Sequence, residues 1–191
     1  MKRVAISPEA DTAGAVKMKN MLKSMAVITS ILLAGPAVAQ EQSTNRVFAE
    51  TDWSVFVEDN PTQCWIVSSA KESVNTKGGR VVAVNRGDTL LFVSFWPGAG
   101  KLGEVSFTGG YPYGDGGTVK LEIGANQFEL FTTGENAWAA SADEDNKIIA
   151  AMRRGAEAVL TGVSSRGTQT KDTISLRGFT KALEDATKRC S

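Results

Sequence analysis

From Thr51 onward the apolar residues come in short runs separated by turn residues, which is the pattern of strands. WSVFV (Trp53 to Val57) stops at Asn60-Pro61, and QCWIVSS (Gln63 to Ser69) follows. KESVNTKGG is polar and ends in glycine, so it reads as a connection. Arg80 to Val84 and Thr89 to Trp96 then flank Asn85-Arg86-Gly87-Asp88. That spacing predicts a β-hairpin whose link places Gly87 at positive φ.

Thr89 to Trp96 (TLLFVSFW) is apolar at both of its alternating sets of positions, so its strand belongs in the middle of a sheet. Leu91, Val93 and Phe95 are expected to enter the core. Leu90, Phe92 and Trp96 then face the other way and need a cover of their own: a helix, a long loop or another subunit. GEVSFTG adds a strand with Val105 and Phe107 on one side. VKLEI alternates strictly, with Val119, Leu121 and Ile123 inward, and it turns through GAN into QFELFT as a second hairpin. Half-solvated strands beside a two-sided apolar one suit antiparallel sheets stacked face to face.

Helix enters late. Ser141-Ala142-Asp143-Glu144 has the spacing of a capping box, and Ile148, Ile149 and Met152 form a stripe that ends near Gly155. AEAVLTGVSS resumes strand, and DTISL puts Ile174 and Leu176 on one face, with Arg166-Gly167 in the turn between the two. Phe179, Ala182, Leu183, Ala186 and Cys190 recur at helical offsets, so the chain closes with an amphipathic helix of about three turns. The fold class expected is therefore mainly β: an antiparallel β-sandwich, immunoglobulin-like or jelly-roll-like, with two short peripheral helices, the second at the C-terminus.

The first 39 residues read as a leader. Lys17, Lys19 and Lys23 precede an apolar run from Met25 to Ala39 that ends in Ala37-Val38-Ala39, the small-residue pattern of signal-peptide cleavage. The real initiator could equally be Met18 or Met21. Residues 40–50 read as a flexible segment and 51–191 as one domain. The whole chain has equal numbers of basic and acidic residues, but removing the leader leaves 16 basic and 19 acidic. With neither a basic stripe nor a basic tail, nucleic acid is not the expected partner. The mature chain has no segment apolar enough to cross a membrane, and the expected location is the periplasm, the outer membrane or beyond. A monomer or weak homo-oligomer is expected there, with a protein or envelope component as its partner.

Two cysteines remain, Cys64 and Cys190. An even count in an exported chain permits a disulfide; the alternative is two free thiols. Because Cys190 shares the helical stripe with Phe179, it should face the sheet that carries Cys64.

Candidate chemistry is sparse. The chain has no histidine, which removes the usual general base, serine and cysteine triads built on it, and His-containing zinc sites. Ser68-Ser69-Ala70-Lys71 matches S-x-x-K, with Lys77-Gly78-Gly79 beyond it, but the serine ends a strand where the chemistry needs it to start a helix. Neither Asp115 nor the Asp143-Glu144-Asp145 cluster has the alternating oxygen ligands of a calcium loop. No catalytic residue, metal or cofactor is expected. The best contact surface is GGYPYGDGG, where Tyr111 and Tyr113 flank a proline beside Asp115, together with Leu90, Phe92 and Trp96; the alternative is that the tyrosines fold back over one end of the sheets. Trp53, Trp65 and Trp96 read as packing residues, and Trp138 as a lid over a sheet edge.

The opening Trp53 to Val57 with Gln63-Cys64-Trp65-Ile66-Val67, and above all the tail Gly162 to Cys190, resemble the invasion-associated locus B family of exported alphaproteobacterial proteins. Ser175, Leu176, Gly178, Phe179 and Ala182 stand in its G-x-S-L-x-G-F-x-x-A-like segment. The resemblance runs from about Thr51 to Cys190. It implies a periplasmic or outer-membrane-associated β-sandwich in which Gly178-Phe179 turns the chain into the last helix and plugs the sheet. It carries over no catalytic residues. The function expected is non-enzymatic binding; the alternatives are an envelope structural or stress factor that self-assembles, and a hydrolase using carboxylates.

Overall fold

The structure, a computed structural model, describes residues 45–60 and 62–190. The expected leader and its cleavage point lie outside the described residues. In chain order the strands are β1 (Arg46–Glu50), β2 (Trp53–Glu58), β3 (Gln63–Ser69), β4 (Glu72–Lys77), β5 (Arg80–Val81) and β6 (Leu90–Trp96). They continue as β7 (Lys101–Thr108), β8 (Thr118–Ile123), β9 (Asn126–Thr133) and β10 (Asn136–Trp138). Helix α1 (Ala142–Met152) precedes β11 (Glu157–Val163) and β12 (Gln169–Ser175), and α2 (Phe179–Arg189) ends the fold.

All strands join one antiparallel sheet in the order β1-β2-β3-β6-β7-β10-β9-β8-β11-β12-β4-β5. The layers of the expected sandwich are two lobes of this one sheet, continuous through β10, and a chain crossing after β3 links them a second time. Ser69 at the end of β3 pairs with Leu90 of β6, and the Ala70 N–H donates to Thr89 O at 3.0 Å. The very next N–H, that of Lys71, donates at 2.8 Å to Thr173 O on β12. One extended run therefore serves both lobes and forces the sheet to curl, a corner of the kind by which strands switch layers. The inward residues of both lobes, among them Val55, Ile66, Leu91 and Val93 from one and Val119, Leu121, Leu160 and Ile174 from the other, share a single core.

Both helices cap this interior. Ser141 Oγ accepts the Glu144 N–H at 3.3 Å, starting α1 as its spacing predicts, and Ile148, Ala151 and Met152 are buried. Asp145, on the same inward side, accepts the Val105 N–H at 2.8 Å where β7 bulges. Burial pushes its carboxyl above the usual range. In α2 every residue of the expected stripe is buried: Phe179, Ala182, Leu183, Ala186 and Cys190. Phe179 meets Trp53 edge to face at 4.9 Å between ring centroids. The Cys190 Sγ is bonded to Cys64 Sγ at 2.04 Å, so the disulfide fastens the helix to β3.

Three expectations are corrected. Residues 46–50 are not a flexible segment but strand β1, turned onto β2 through Thr51 at φ 52°. KESVNTKGG is mostly strand β4, which pairs with β12, because neighbouring backbone rather than apolar content holds a polar strand. Arg80 to Val84 does not pair with Thr89 to Trp96. Gly78 and Gly79, at φ 56° and 74°, form a two-residue turn that folds Arg80–Val81 back on β4. Gly87 is not at positive φ, and β6 takes β3 and β7 as neighbours.

Gly178 enters α2 at φ 90°, and a Cβ there would stand 2.1 Å from Glu50 O. Gly178→Ala should therefore cost at least about 2 kcal/mol in urea unfolding. Gly98→Ala, at a position open to solvent, should change stability by no more than about 0.5 kcal/mol.

An outer aromatic face and a polar loop end

β6 has an inside and an outside, as its sequence predicts. Leu91 and Val93 are fully buried and Phe95 nearly so, while Leu90, Phe92 and Trp96 are half-buried on the opposite face. Both helices lie on the inner side, through Phe179 with Trp53 and through Ile148 and Ala151, so neither covers the outer one. Cross-strand neighbours extend this outer face. Phe92 is flanked by Val67 of β3 and Ser106 of β7, and Ser106 in turn by Trp138 of β10. In the next row Phe56 and Trp65 stack with planes 2° apart. Trp96 Nε1 donates to Gln63 Oε1 at 2.8 Å, and the Lys101 ammonium sits 5.5 Å from the Trp96 ring centroid. Between Trp65, Phe92, Trp96 and Trp138 runs a groove of about 280 Å³ whose polar wall includes Ser94, Glu104 and Ser106.

Trp65 and Trp96 are thus not core residues as expected; only Trp53 is, with its Nε1 donating to Ser175 O at 2.9 Å. Trp138 belongs to strand β10 and to this face rather than to a lid.

The tyrosines stand elsewhere. Tyr111 is 9% and Tyr113 7% exposed, so the expected contact loop turns its rings inward and leaves Asp115 outside. The two rings meet edge to face at 4.9 Å. The space for them comes from residues without side chains: a Cβ on Gly109 would lie 2.5 Å from Tyr113 Oη, and one on Gly162 2.9 Å from Tyr111 Oη. Tyr111 Oη and Thr170 Oγ1 share a hydrogen bond of 2.6 Å. Burial raises the pKa of both phenols above the ordinary tyrosine value.

Beside them lies a buried ion pair. Asp172 on β12 is fully buried, and its Oδ1 accepts from Ser73 Oγ of β4 at 2.7 Å. Arg86 reaches it from the loop before β6 and donates through Nη1 to Asp172 Oδ2 and to Gly109 O, each at 3.0 Å, and through Nη2 to Asp172 Oδ1. The guanidinium carbon lies 5.7 Å from the Tyr111 ring centroid. Gly87 and Gly110 clamp the loop further, with the Gly87 N–H donating to Gly110 O at 2.9 Å. Asn85-Arg86-Gly87-Asp88 is consequently an anchor and not a hairpin turn. The alternation of β12 carried a signal for this node, since Asp172 is two residues from Ile174 and so shares its inward face.

The S-x-x-K residues do not meet: Ser68 is buried in β3, and Lys71 pairs with Asp52 at 2.7 Å. Among the described residues no group of three or more cysteines and carboxylates is placed to hold a metal ion. No helix among them is long and apolar enough to cross a membrane.

Comparison with known proteins adds two findings. The model of the family described as Invasion associated locus B (IalB) protein matches residues 53–187. The fold is similar to that of invasion associated protein B from Bartonella henselae, with a TM-score of 0.51 and 16% identity over 74% of this chain and 95% of that one. No curated protein matches.

Tyr111 and Tyr113 are the only two tyrosines in the chain. Because each phenol holds its proton more tightly folded than unfolded, stability is full below about pH 10 and falls as the pH rises beyond it. Absorbance at the tyrosinate band should stay flat in the native protein past that pH and then rise cooperatively with unfolding. A gradual rise near pH 10 with circular dichroism unchanged would place at least one ring in solvent.

Proposed function

The chain belongs to the invasion associated locus B family, and from that premise we propose an exported, non-enzymatic interaction protein that holds an envelope partner against the outer face of β6. The supporting observation is the aromatic surface itself. Phe56, Trp65, Phe92, Trp96 and Trp138 gather on one side of a sheet whose helices both lie on the other. Large rings with limited rotamer freedom contribute contact area at small entropic cost and are enriched in binding surfaces. Phe131 of β9, opposite Trp138 in the ladder and 53% exposed, extends the surface outward. Gln63, Ser94, Ser106 and Glu104 supply polar groups around the rings, the usual arrangement of an apolar centre with a polar margin.

The leader read from the sequence supports export, and the disulfide agrees with an oxidising compartment. The remaining conspicuous acids have structural work. Asp172 is neutralised by Arg86, and Asp145 holds the Val105 N–H. That distribution favours binding over hydrolysis by a carboxylate pair.

A photo-crosslinking residue at Phe131 should capture one defined neighbour in intact cells. The same probe at Val163, also exposed but on β11 in the other lobe, should not. Equal capture at both positions, or none at Phe131, counts against the proposal. Capture of a second copy of the chain at Phe131 would turn the reading towards self-assembly.

A further inference from the structure

The loop end holds a cavity of about 470 Å³, within the size range of small-molecule sites. One wall is the irregular stretch that carries Arg86, the floor is Tyr111 and Pro112, and the opposite wall is the β11–β12 turn from Ser164 to Thr168. No carboxylate lines it.

Hydrogen-bond bookkeeping sets its chemistry. Arg86 has five N–H donors. Its side chain is 10% exposed, and its three bonds to Gly109 and Asp172 leave the Nε hydrogen and one Nη2 hydrogen without an acceptor. Thr170, 2% exposed, and Tyr111 add hydroxyls on the same lining, and Thr168 and Ser165 add two more at the rim. Arg166, at the tip of the turn, forms no ion pair or hydrogen bond among the described residues. The charge of Arg86 is balanced by Asp172 behind it, whereas that of Arg166 is not, so the lining is rich in donors and carries one net positive charge.

The buried ion pair takes on a second meaning in this setting. A buried Arg–Asp pair gives little net stability relative to apolar side chains of similar volume. It does fix the guanidinium rigidly at the cavity wall, with its planar fork held by Asp172 and its remaining hydrogens free. Anchoring of this kind pre-organises a binding residue.

We propose that this cavity is a site for a small solute bearing an oxyanion, a carboxylate or phosphate group, recognised by Arg86 and Arg166 with Thr168 and Thr170. The site is separate from the outer aromatic face and does not depend on that surface binding anything.

Isothermal titration of the folded, oxidised protein with inorganic phosphate and with galacturonate, a sugar carboxylate, at matched ionic strength tests it. Saturable one-to-one binding of at least one probe is expected, and which one binds identifies the anion class. Arg166 is exposed at a turn, so Arg166→Ala should leave the unfolding midpoint unchanged and weaken binding roughly tenfold or more. Lys147→Ala, on an exposed face of α1, should bind as the parent does. Absence of saturable binding with both probes overturns the proposal. So does binding that Arg166→Ala leaves intact.

Discussion

Closing the interior of the curled sheet is the constraint on which the rest depends, and the terminal helix does it. Its entry needs Gly178, whose backbone passes against Glu50 O of β1. Phe179 then fills the space beside Trp53, burying a side chain worth about 1.5–3 kcal/mol. The far end is held by the Cys190–Cys64 bond across a separation of 126 residues, worth about 5 kcal/mol in the loop-entropy account. The same corner gathers otherwise distant strands. The Asp52 N–H donates to Arg177 O at 3.3 Å and the Trp53 indole to Ser175 O, so the β1–β2 turn, the end of β12 and the helix meet in one place.

With the interior closed in this way, two surfaces stand out among the described residues, and they differ in kind. The outer side of β6 and its neighbours is aromatic and only half-buried, with rings steadied by stacking and by the Trp96–Gln63 hydrogen bond. The loop end is polar and rigid, built on Arg86, Asp172, Tyr111 and Thr170. A broad aromatic face suits a macromolecule, whereas a donor-rich cavity suits a small anion.

Much of this was legible in the chain, for definite reasons. Period-two alternation in Val119 to Ile123 and in Leu91 to Phe95 told inside from outside, and helical spacing placed Cys190 on the buried stripe of α2. The polar strand β4 and the short strand β1 were not legible, since their pairing energy comes from neighbours distant in sequence. The apolar look of Arg80 to Val84 misled because Gly78-Gly79 supplies a tighter turn one strand earlier. For the site, the outward Leu90, Phe92 and Trp96 were readable from β6 alone. The inward seat of the tyrosines was readable only as one of two alternatives, because glycines at 109 and 162 make room for their rings only once the strands are assembled. Asp172 was readable as an inward charge, but its partner Arg86 lay hidden in what resembled a turn.

Native-state hydrogen exchange tests most directly whether the terminal helix is part of the cooperative core. In the oxidised protein, the amides of Leu183 and Ala186 should exchange only through global unfolding, with the same free energy and denaturant dependence as those of Ile66 and Val93. Exchange of the helix through a local opening of much lower free energy, while the sheet stays protected, would contradict the account.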